Sequence, residues 1–339
     1  MDSPPRLVLL LGAPRSGTTW LQGLLAAHPR VASPQETDVF SRYLRALEDA
    51  WAWQHRGTLD DWRRRRFKGL PAVLTTDEFR EIGTSLLATT IAHSAALKPG
   101  ADIVVEKSPA HSVHGDLIEV YAPTAPIVHL VRDGRDVAAS LVAAGRTWGH
   151  DWAPSTVGAA AAMWSEHVRG ARAVVARAAA VDTPTIEVRY EDLRSRGASL
   201  LHDVFTTIGV EITTDEATRL LTDQELGAMS DRGDRSEYIL LGGDFAAVAD
   251  RSEPPGFFGT GATTRWHDWS SQERSAFDAE AGALLAELGY VDDSSWLGNS
   301  PGAPRRRVDA RVDSARRGAA RIARAAGTRL GRLLEPRPR

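Results

Sequence analysis

The sequence predicts an α/β fold, a central parallel sheet flanked by helices. Two observations predict it. Short apolar runs at 7–11, 103–105 and 127–131, and a fourth strand-like stretch at 185–189, alternate with longer stretches of helical periodicity, and strands separated by helices pair in parallel. Each run is followed at once by a polar segment: GAPRSGTTW, EKSPAH, RDGRDVAAS and YEDL. In open parallel sheets ligands collect beyond the carboxyl ends of the strands. Four polar segments in that one position point to a binding crevice.

The first unit carries the most information. Leu7–Leu11 is long enough for one buried parallel strand. Gly12 permits a tight turn, Pro14 fixes φ, and Gly17 lets the backbone approach a ligand. Ser16, Thr18 and Thr19 add hydroxyls just before a helix expected over 20–27, which His28 and Pro29 end. Such a loop is an anion cradle, because backbone N–H groups and the helix dipole both favour negative charge. Gly12 and Gly17 have the spacing of the phosphate loop G-x-x-x-x-G-K-[ST], but Thr18 stands in place of its lysine and the cation comes earlier, at Arg15. Without that lysine the loop is poorly suited to a triphosphate.

The remaining elements follow in order. Val31–Ser33 reads as a short extended piece. Residues 41–97 read as largely helical, with Trp51, Trp53 and Trp62. Within them Arg63–Arg66 is either a solvated helical face or a contact for an anionic substrate. Helices are expected over 113–121, after 131, over 157–179 and over 271–288, the last capped by Gly289. The glycine- and proline-rich stretch 229–265 reads as a lid or binding loop.

The composition, 42% hydrophobic and 25% charged, is that of a globular protein. With no cysteine there is no disulfide and no thiolate metal site. The first apolar run is too short for a signal peptide or a membrane span and lacks a basic leader, so a cytoplasmic location is expected. The net charge of −3 hides an asymmetry. Residues 301–339 hold 12 arginines against Asp309, Asp313 and Glu335, a net of +9, which leaves −12 on residues 1–300. The expected organisation is a catalytic domain over 1–290, a linker over 291–304 and a basic amphipathic extension over 305–339. That extension is suited to an anionic membrane surface, to a partner, or to solvent. No nucleic-acid partner is expected.

At this point the motifs resemble a known family, the sulfotransferases that use 3′-phosphoadenosine 5′-phosphosulfate. APRSGTTW (13–20) resembles that family's 5′-phosphosulfate loop, and IVHLVRDGRDVAAS (127–140) its 3′-phosphate motif. RYEDL (189–193) is similar to the segment whose tyrosine lies near the adenine, and GATTRWHDWSSQE (261–273) to the last cofactor loop. The resemblance spans about residues 5–290 and implies a P-loop-like nucleotide-binding fold. Its cofactor contacts would be Arg15, Ser16, Gly17, Thr18, Thr19, Trp20, Arg132, Ser140, Tyr190, Thr260 and Gly261. Trp20 has a second reading, as a core tryptophan. The family's last loop reaches the 3′ phosphate with Arg-Lys-Gly. Aligned on Trp266, this chain has Gly259, Thr260 and Gly261, so the glycine is kept and two cations are lost. Backbone N–H groups, Arg251 or Arg265 would have to replace them.

The physical reading agrees with the resemblance. A donor with a phosphosulfate at one end and a phosphate at the other needs two anion sites. Arg132 and Ser140, eight residues apart at a strand–helix junction, suit the second. Asp133, Arg135 and Asp136 read as ion pairs and caps. Sulfonate transfer is an in-line displacement of lower charge than phosphoryl transfer, so no metal is required. It needs cations near the bridging oxygen and a base on the acceptor hydroxyl. The resemblance implies Arg15 as one cation, with Lys107 after the second strand as another, and as candidate bases Glu36, similar to the glutamate of the family's carbohydrate-type branch, and His111, near the histidine of its small-molecule branch. The acceptor is expected to be a hydroxyl-bearing small molecule or glycan, met in part by Trp51, Trp53, Trp62, Trp148 or Trp152. Two rival readings remain at this stage: a P-loop kinase-like phosphotransferase, and a catalytically inactive nucleotide-binding protein.

Overall fold

A computed structural model describes residues 4–56, 59–64, 68–223, 239–246, 253–254, 257 and 265–297. The chain divides into two units, Met1–Tyr290 and Val291–Arg339. In the second, the described residues end in a short 3-10 turn, Ser294–Leu297, preceded by Asp293, whose carboxylate accepts the Ser295 N–H at 2.7 Å. The basic extension 305–339 lies outside the described residues, as do Thr260, Gly261 and Arg251.

The first unit is built on β1 (Arg6–Leu11), β2 (Val31–Pro34), β3 (Ile103–Glu106), β4 (Ile127–Val131), β5 (Thr185–Arg189) and β6 (Ile239–Leu240). Among the described residues these form one parallel sheet in the order β5-β4-β1-β3-β2-β6. Val8–Leu11 of β1 have no exposed surface, which is why that strand is an unbroken apolar run rather than an alternating one. Their side chains still alternate by strand period. Val8 and Leu10 join one core with Trp20, Leu24, Val105, Val128 and Phe205, while Leu9 and Leu11 join another with Phe40, Leu117, Ile127 and Val174.

The helices of this unit are α1 (Thr18–Ala26), α2 (Arg45–His55), α3 (Leu59–Arg64), α4 (Thr76–Ala96), α5 (Gly115–Tyr121), α6 (Gly134–Gly145), α7 (Val157–Ala179), α8 (Tyr190–Ser195), α9 (Gly197–Thr207), α10 (Thr214–Asp223) and α11 (Ser271–Glu287). None of the described helices is long and apolar enough to cross a membrane. The chain first builds to one side of β1, with β3 and β2, and then crosses to β4 and β5. That puts β1 at the switch point, where an open sheet forms its crevice.

The expected strands and the 157–179 helix are found where the sequence puts them. The last helix, α11, opens with a Ser270–Glu273 capping box and is followed by Gly289 at φ 70°. Four details differ. α1 starts two residues early, because Gly17 adopts a left-handed N-cap conformation. Residues Val39–Leu44 form a π-helical turn. YEDL is the helical turn of α8 rather than loop. The loop-rich stretch contributes β6, which pairs Ile239 with Ser33 and Leu240 with Pro34. Two residues are too few to show a period-2 pattern.

Candidate active site

The loop after β1 is held open by backbone geometry. Arg15 and Gly17 are left-handed, at φ 69° and 95°, and the Ser16 N–H donates to Ala13 C=O at 3.2 Å. The Trp20 and Leu21 N–H groups turn back to Gly17 C=O at 3.0 and 3.1 Å, and Gly17 supplies no side-chain cap to the N–H groups ahead of them. The Ser16 hydroxyl is fully buried and, among the described residues, has no hydrogen-bond partner. A Cβ on Gly17 would stand 2.7 Å from the Tyr190 ring, and one on Gly12 2.8 Å from Leu130 C=O, so both positions require glycine for space. Ser112 clamps the loop: its Oγ accepts the Gly12 N–H at 3.0 Å and donates to Gly12 C=O at 3.3 Å.

The structure brings Arg15, Arg132 and Ser140 together. Ser140 Oγ accepts from Arg15 Nε at 3.1 Å. The Arg15 guanidinium also donates to Phe257 C=O and lies between two rings, 5.4 Å from Trp148 and 5.3 Å from Phe257. Arg132 donates to the Arg15 carbonyl at 3.4 Å and stacks 4.4 Å from the Tyr190 ring. Trp20 is 5% exposed, meets Tyr190 edge-on at 5.7 Å and belongs to the core around Val8 and Leu10.

A second cluster closes the ends of β2 and β3. Lys107 has no exposed surface, and its ammonium donates to the Glu36 carboxylate and, at 3.4 Å, to Thr19 Oγ1. Glu36 is 36% exposed on its side chain. His111 is fully buried, with Nε2 3.2 Å from Glu106 Oε1, and its ring meets Phe40 edge-on. The same Glu106 oxygen accepts Ser108 Oγ–H at 2.9 Å and Thr37 N–H at 3.4 Å. The buried carboxylate is therefore satisfied by donors. Sequence reasoning missed Glu106, Ser108 and Ser112, and the run EKSPAHS, polar at nearly every position after a strand, was the available signal.

Beside Arg132 lies a group of carboxylates. Asp133 caps α6 through the Arg135 N–H at 2.9 Å and pairs with the Arg135 guanidinium at 2.6 Å, as expected of a cap and ion pair. Asp136 departs from that expectation. It is buried, and among the described residues neither of its oxygens has a side-chain donor. Burial, and then the neighbouring Asp133 carboxylate, lift its pKa to about 6. Glu191 accepts the Asp133 N–H and the Tyr290 hydroxyl, both at 3.0 Å. Arg135 stacks 4.0 Å from the Trp266 ring, which ties the 3-10 turn Arg265–Asp268 to α6.

The tryptophans separate. Trp51 is 6% exposed and stacks on Phe79 at 4.2 Å, which makes it core. Trp148 meets Trp152 at 5.7 Å and Phe257 at 5.0 Å, alongside Arg15. Trp53 is 63% exposed on α2. The Trp62 side chain lies outside the described residues.

Three solved structures resemble this chain. A sulfotransferase domain from the olefin synthase of Synechococcus PCC 7002 is 18% identical, with 82% of this chain and 95% of that one covered and a TM-score of 0.44. A mouse sulfotransferase complexed with PAP is 14% identical, with 86% and 88% covered and a TM-score of 0.48. Retinol dehydratase in a complex with retinol and PAP is 17% identical, with 84% and 82% covered and a TM-score of 0.47. The model of the sulfotransferase family matches residues 5–215, from the start of β1 to the start of α10. That match takes in more than half of the chain, and the chain belongs to the sulfotransferase family.

Proposed function

We propose that this sulfotransferase moves a sulfonate group from 3′-phosphoadenosine 5′-phosphosulfate to a hydroxyl of a glycan, glycolipid or secondary metabolite. The observation that supports this most is the convergence of cations from three strand ends on the N-terminus of α1. Arg15 follows β1, Lys107 follows β3 and Arg132 follows β4, and they reach one another's partners through Ser140, Thr19 and the Arg15 carbonyl. The first turn of α1, which has no side-chain cap, and the buried Ser16 hydroxyl, unpartnered among the described residues, suit an oxygen-rich anion.

In this reading the N–H groups of residues 16–19 and the Thr18 and Thr19 hydroxyls hold the 5′ end. Arg132 and Ser140 hold the 3′ phosphate, with Tyr190 beside the base and Arg15 reaching between the two ends. Thr260 and Gly261 complete the last cofactor loop, and Trp20 supports Tyr190 from the core. When bound, the donor supplies the sulfonate and a phosphate leaving group. Glu36 takes the proton of the acceptor hydroxyl, and Lys107 orients it. Of the two candidate bases Glu36 is the better placed, because His111 has no exposed surface and its Nε2 is engaged by Glu106. We assign His111 to positioning Glu106. Trp148 and Trp152, next to Arg15, face the acceptor. Residues 1–290 carry the reaction, 291–304 act as linker, and 305–339 are a separate basic extension.

Calorimetry with adenosine 3′,5′-bisphosphate against ATP, combined with sulfonate transfer to a panel of hydroxyl acceptors, tests this. Tight binding of the bisphosphate and weak binding of ATP is expected. Preference for ATP would support the phosphotransferase reading, and bisphosphate binding without transfer to any acceptor the inactive one.

A further inference from the structure

Three consecutive residues at the end of β3 grip three consecutive residues beyond β2. Lys107 holds the Glu36 carboxylate with its ammonium group. On either side of it in sequence, Glu106 Oε1 accepts the Thr37 N–H at 3.4 Å and Ser108 Oγ accepts the Asp38 N–H at 3.1 Å. The residue before Glu36 is held as well, since the Gln35 N–H donates to Leu240 C=O of β6 at 2.9 Å. Glu36 is therefore fixed at its carboxylate and through the backbone on both sides, although its side chain is partly exposed.

The backbone held in this way is strained. Asp38 is left-handed at φ 54°, uncommon for a residue with a Cβ. It opens the π-helical turn Val39–Leu44, in which Phe40 is fully buried. Such residues and such turns persist where their surroundings over-determine them, and they gather at functional sites. Here the surroundings are Glu106, Ser108 and His111, each at most 4% exposed. Ser108 Oγ donates to Glu106 Oε1 at 2.9 Å, His111 Nε2 stands 3.2 Å from the same oxygen, and the His111 ring meets Phe40 edge-on. Ile103, Val104 and Val105, ahead of Glu106 on β3, are apolar and buried. A buried carboxylate after them carries a desolvation cost that a further apolar residue would not, and what it gains is a hold on the backbone beside Glu36.

We infer that Glu106, acting with Ser108, is a positioning residue for sulfonate transfer: on the reading of Glu36 as the base, the two side chains set its carboxylate at the acceptor hydroxyl by fixing the N–H groups of residues 37 and 38. Glu106 itself touches neither donor nor acceptor. A displaced base slows turnover and leaves donor binding alone, because the residues assigned to the donor follow β1, β4 and β5.

Glu106→Ala, Ser108→Ala and Glu106→Gln, alone and combined with Glu36→Gln in the full-length protein, provide the test. Turnover is followed as sulfonate transfer from 3′-phosphoadenosine 5′-phosphosulfate to the best hydroxyl acceptor of the panel, or to water as released sulfate. Glu106→Ala should lower turnover about 10- to 100-fold and Ser108→Ala about tenfold, each with a Kd for adenosine 3′,5′-bisphosphate within about twofold of the wild type. Glu106→Gln, which keeps an acceptor oxygen, should recover most of the loss. In the Glu36→Gln background the same substitutions should cost nothing further, because the base they position is gone. Hydrogen exchange at the Thr37 and Asp38 amides should quicken in both alanine variants while that of α1 does not. Where Glu106→Ala does not fold, Ser108→Ala reads the same hold through Asp38. Additive losses in the Glu36→Gln background, or unchanged exchange at 37 and 38, would overturn the inference alone. Wild-type turnover in Glu36→Gln would remove the base reading, and this inference with it.

Discussion

Lys107 has no exposed surface, yet its ammonium group holds the carboxylate of Glu36, a partly exposed residue two positions past the end of the neighbouring strand β2. The pair ties the ends of β2 and β3 together, and its second bond, to Thr19, ties both to the first turn of α1. A buried cation depends on the partners that hold it.

Glu36→Gln keeps the shape and a hydrogen-bond acceptor for Lys107 but removes the base. Its kcat should fall about 10²- to 10⁴-fold, with affinity for adenosine 3′,5′-bisphosphate close to that of the wild type. Steady-state kinetics beside calorimetry checks both halves, and a wild-type kcat removes Glu36 as the base.

Arg132→Ala should weaken adenosine 3′,5′-bisphosphate about 10- to 100-fold, since it deletes a charge-assisted contact and the cation stacked on Tyr190. Arg132→Lys should recover little, because an ammonium lacks the planar fork that spans a phosphate and a ring. An unchanged Kd for the alanine variant would sink the assignment.

Gly17→Ala should destabilise the fold by about 1–3 kcal/mol, the range for a non-glycine residue forced into a sparsely populated backbone region. The clash with the Tyr190 ring at 2.7 Å adds to it. Thermal unfolding gives the answer: a Tm equal to wild type would mean that the loop can relax away from Tyr190.

Asp136 makes a prediction about pH. Its folded pKa, about 6, stands above its unfolded value of 3.8. The group is protonated in both states below pH ~4, where it imposes no penalty. As pH rises from ~4 through ~6, folding must ionise a buried carboxyl beside Asp133, so stability from this group declines, by at most about 3 kcal/mol. Asp136→Asn should therefore raise the free energy of unfolding at pH 7 and flatten its slope between pH 4 and 6. Urea titrations across that range test it, and an unaltered slope would show that the carboxyl is not strained.

Glu187 works in the opposite direction. Burial alone would raise its pKa, but hydrogen bonds from His129 and Arg172 hold it at about 2, below its ordinary 4.5. Its contribution is present above pH ~4.5 and is lost as pH falls towards ~2. Glu187→Gln should thus be less stable than wild type at pH 7 and converge with it in acid, as circular-dichroism melts would record.

Much of this protein was readable along the chain. Leu7–Leu11, Ile103–Val105 and Ile127–Val131 are mostly apolar runs because a doubly covered parallel sheet buries both faces of a strand, whereas the edge strand Thr185–Arg189 keeps polar residues and buries only Val188. Gly12, Gly17, Arg15 and the hydroxyls after them report a local requirement, an open turn at a helix N-terminus, and local requirements leave spaced motifs. Tertiary structure alone decided the partners. Ser140 lies 125 residues from Arg15 and Lys107 71 from Glu36, and nothing in local periodicity encodes which cation meets which acceptor. It also decided that Trp51 is core while Trp53, two residues on, is exposed, because which side of a helix is buried is set by the elements that pack on it. The sequence by itself determined the sheet, the phosphate-loop geometry and the residue types of the site. Long-range packing determined their pairing, since burial and hydrogen bonding are settled only when distant strand ends are brought side by side.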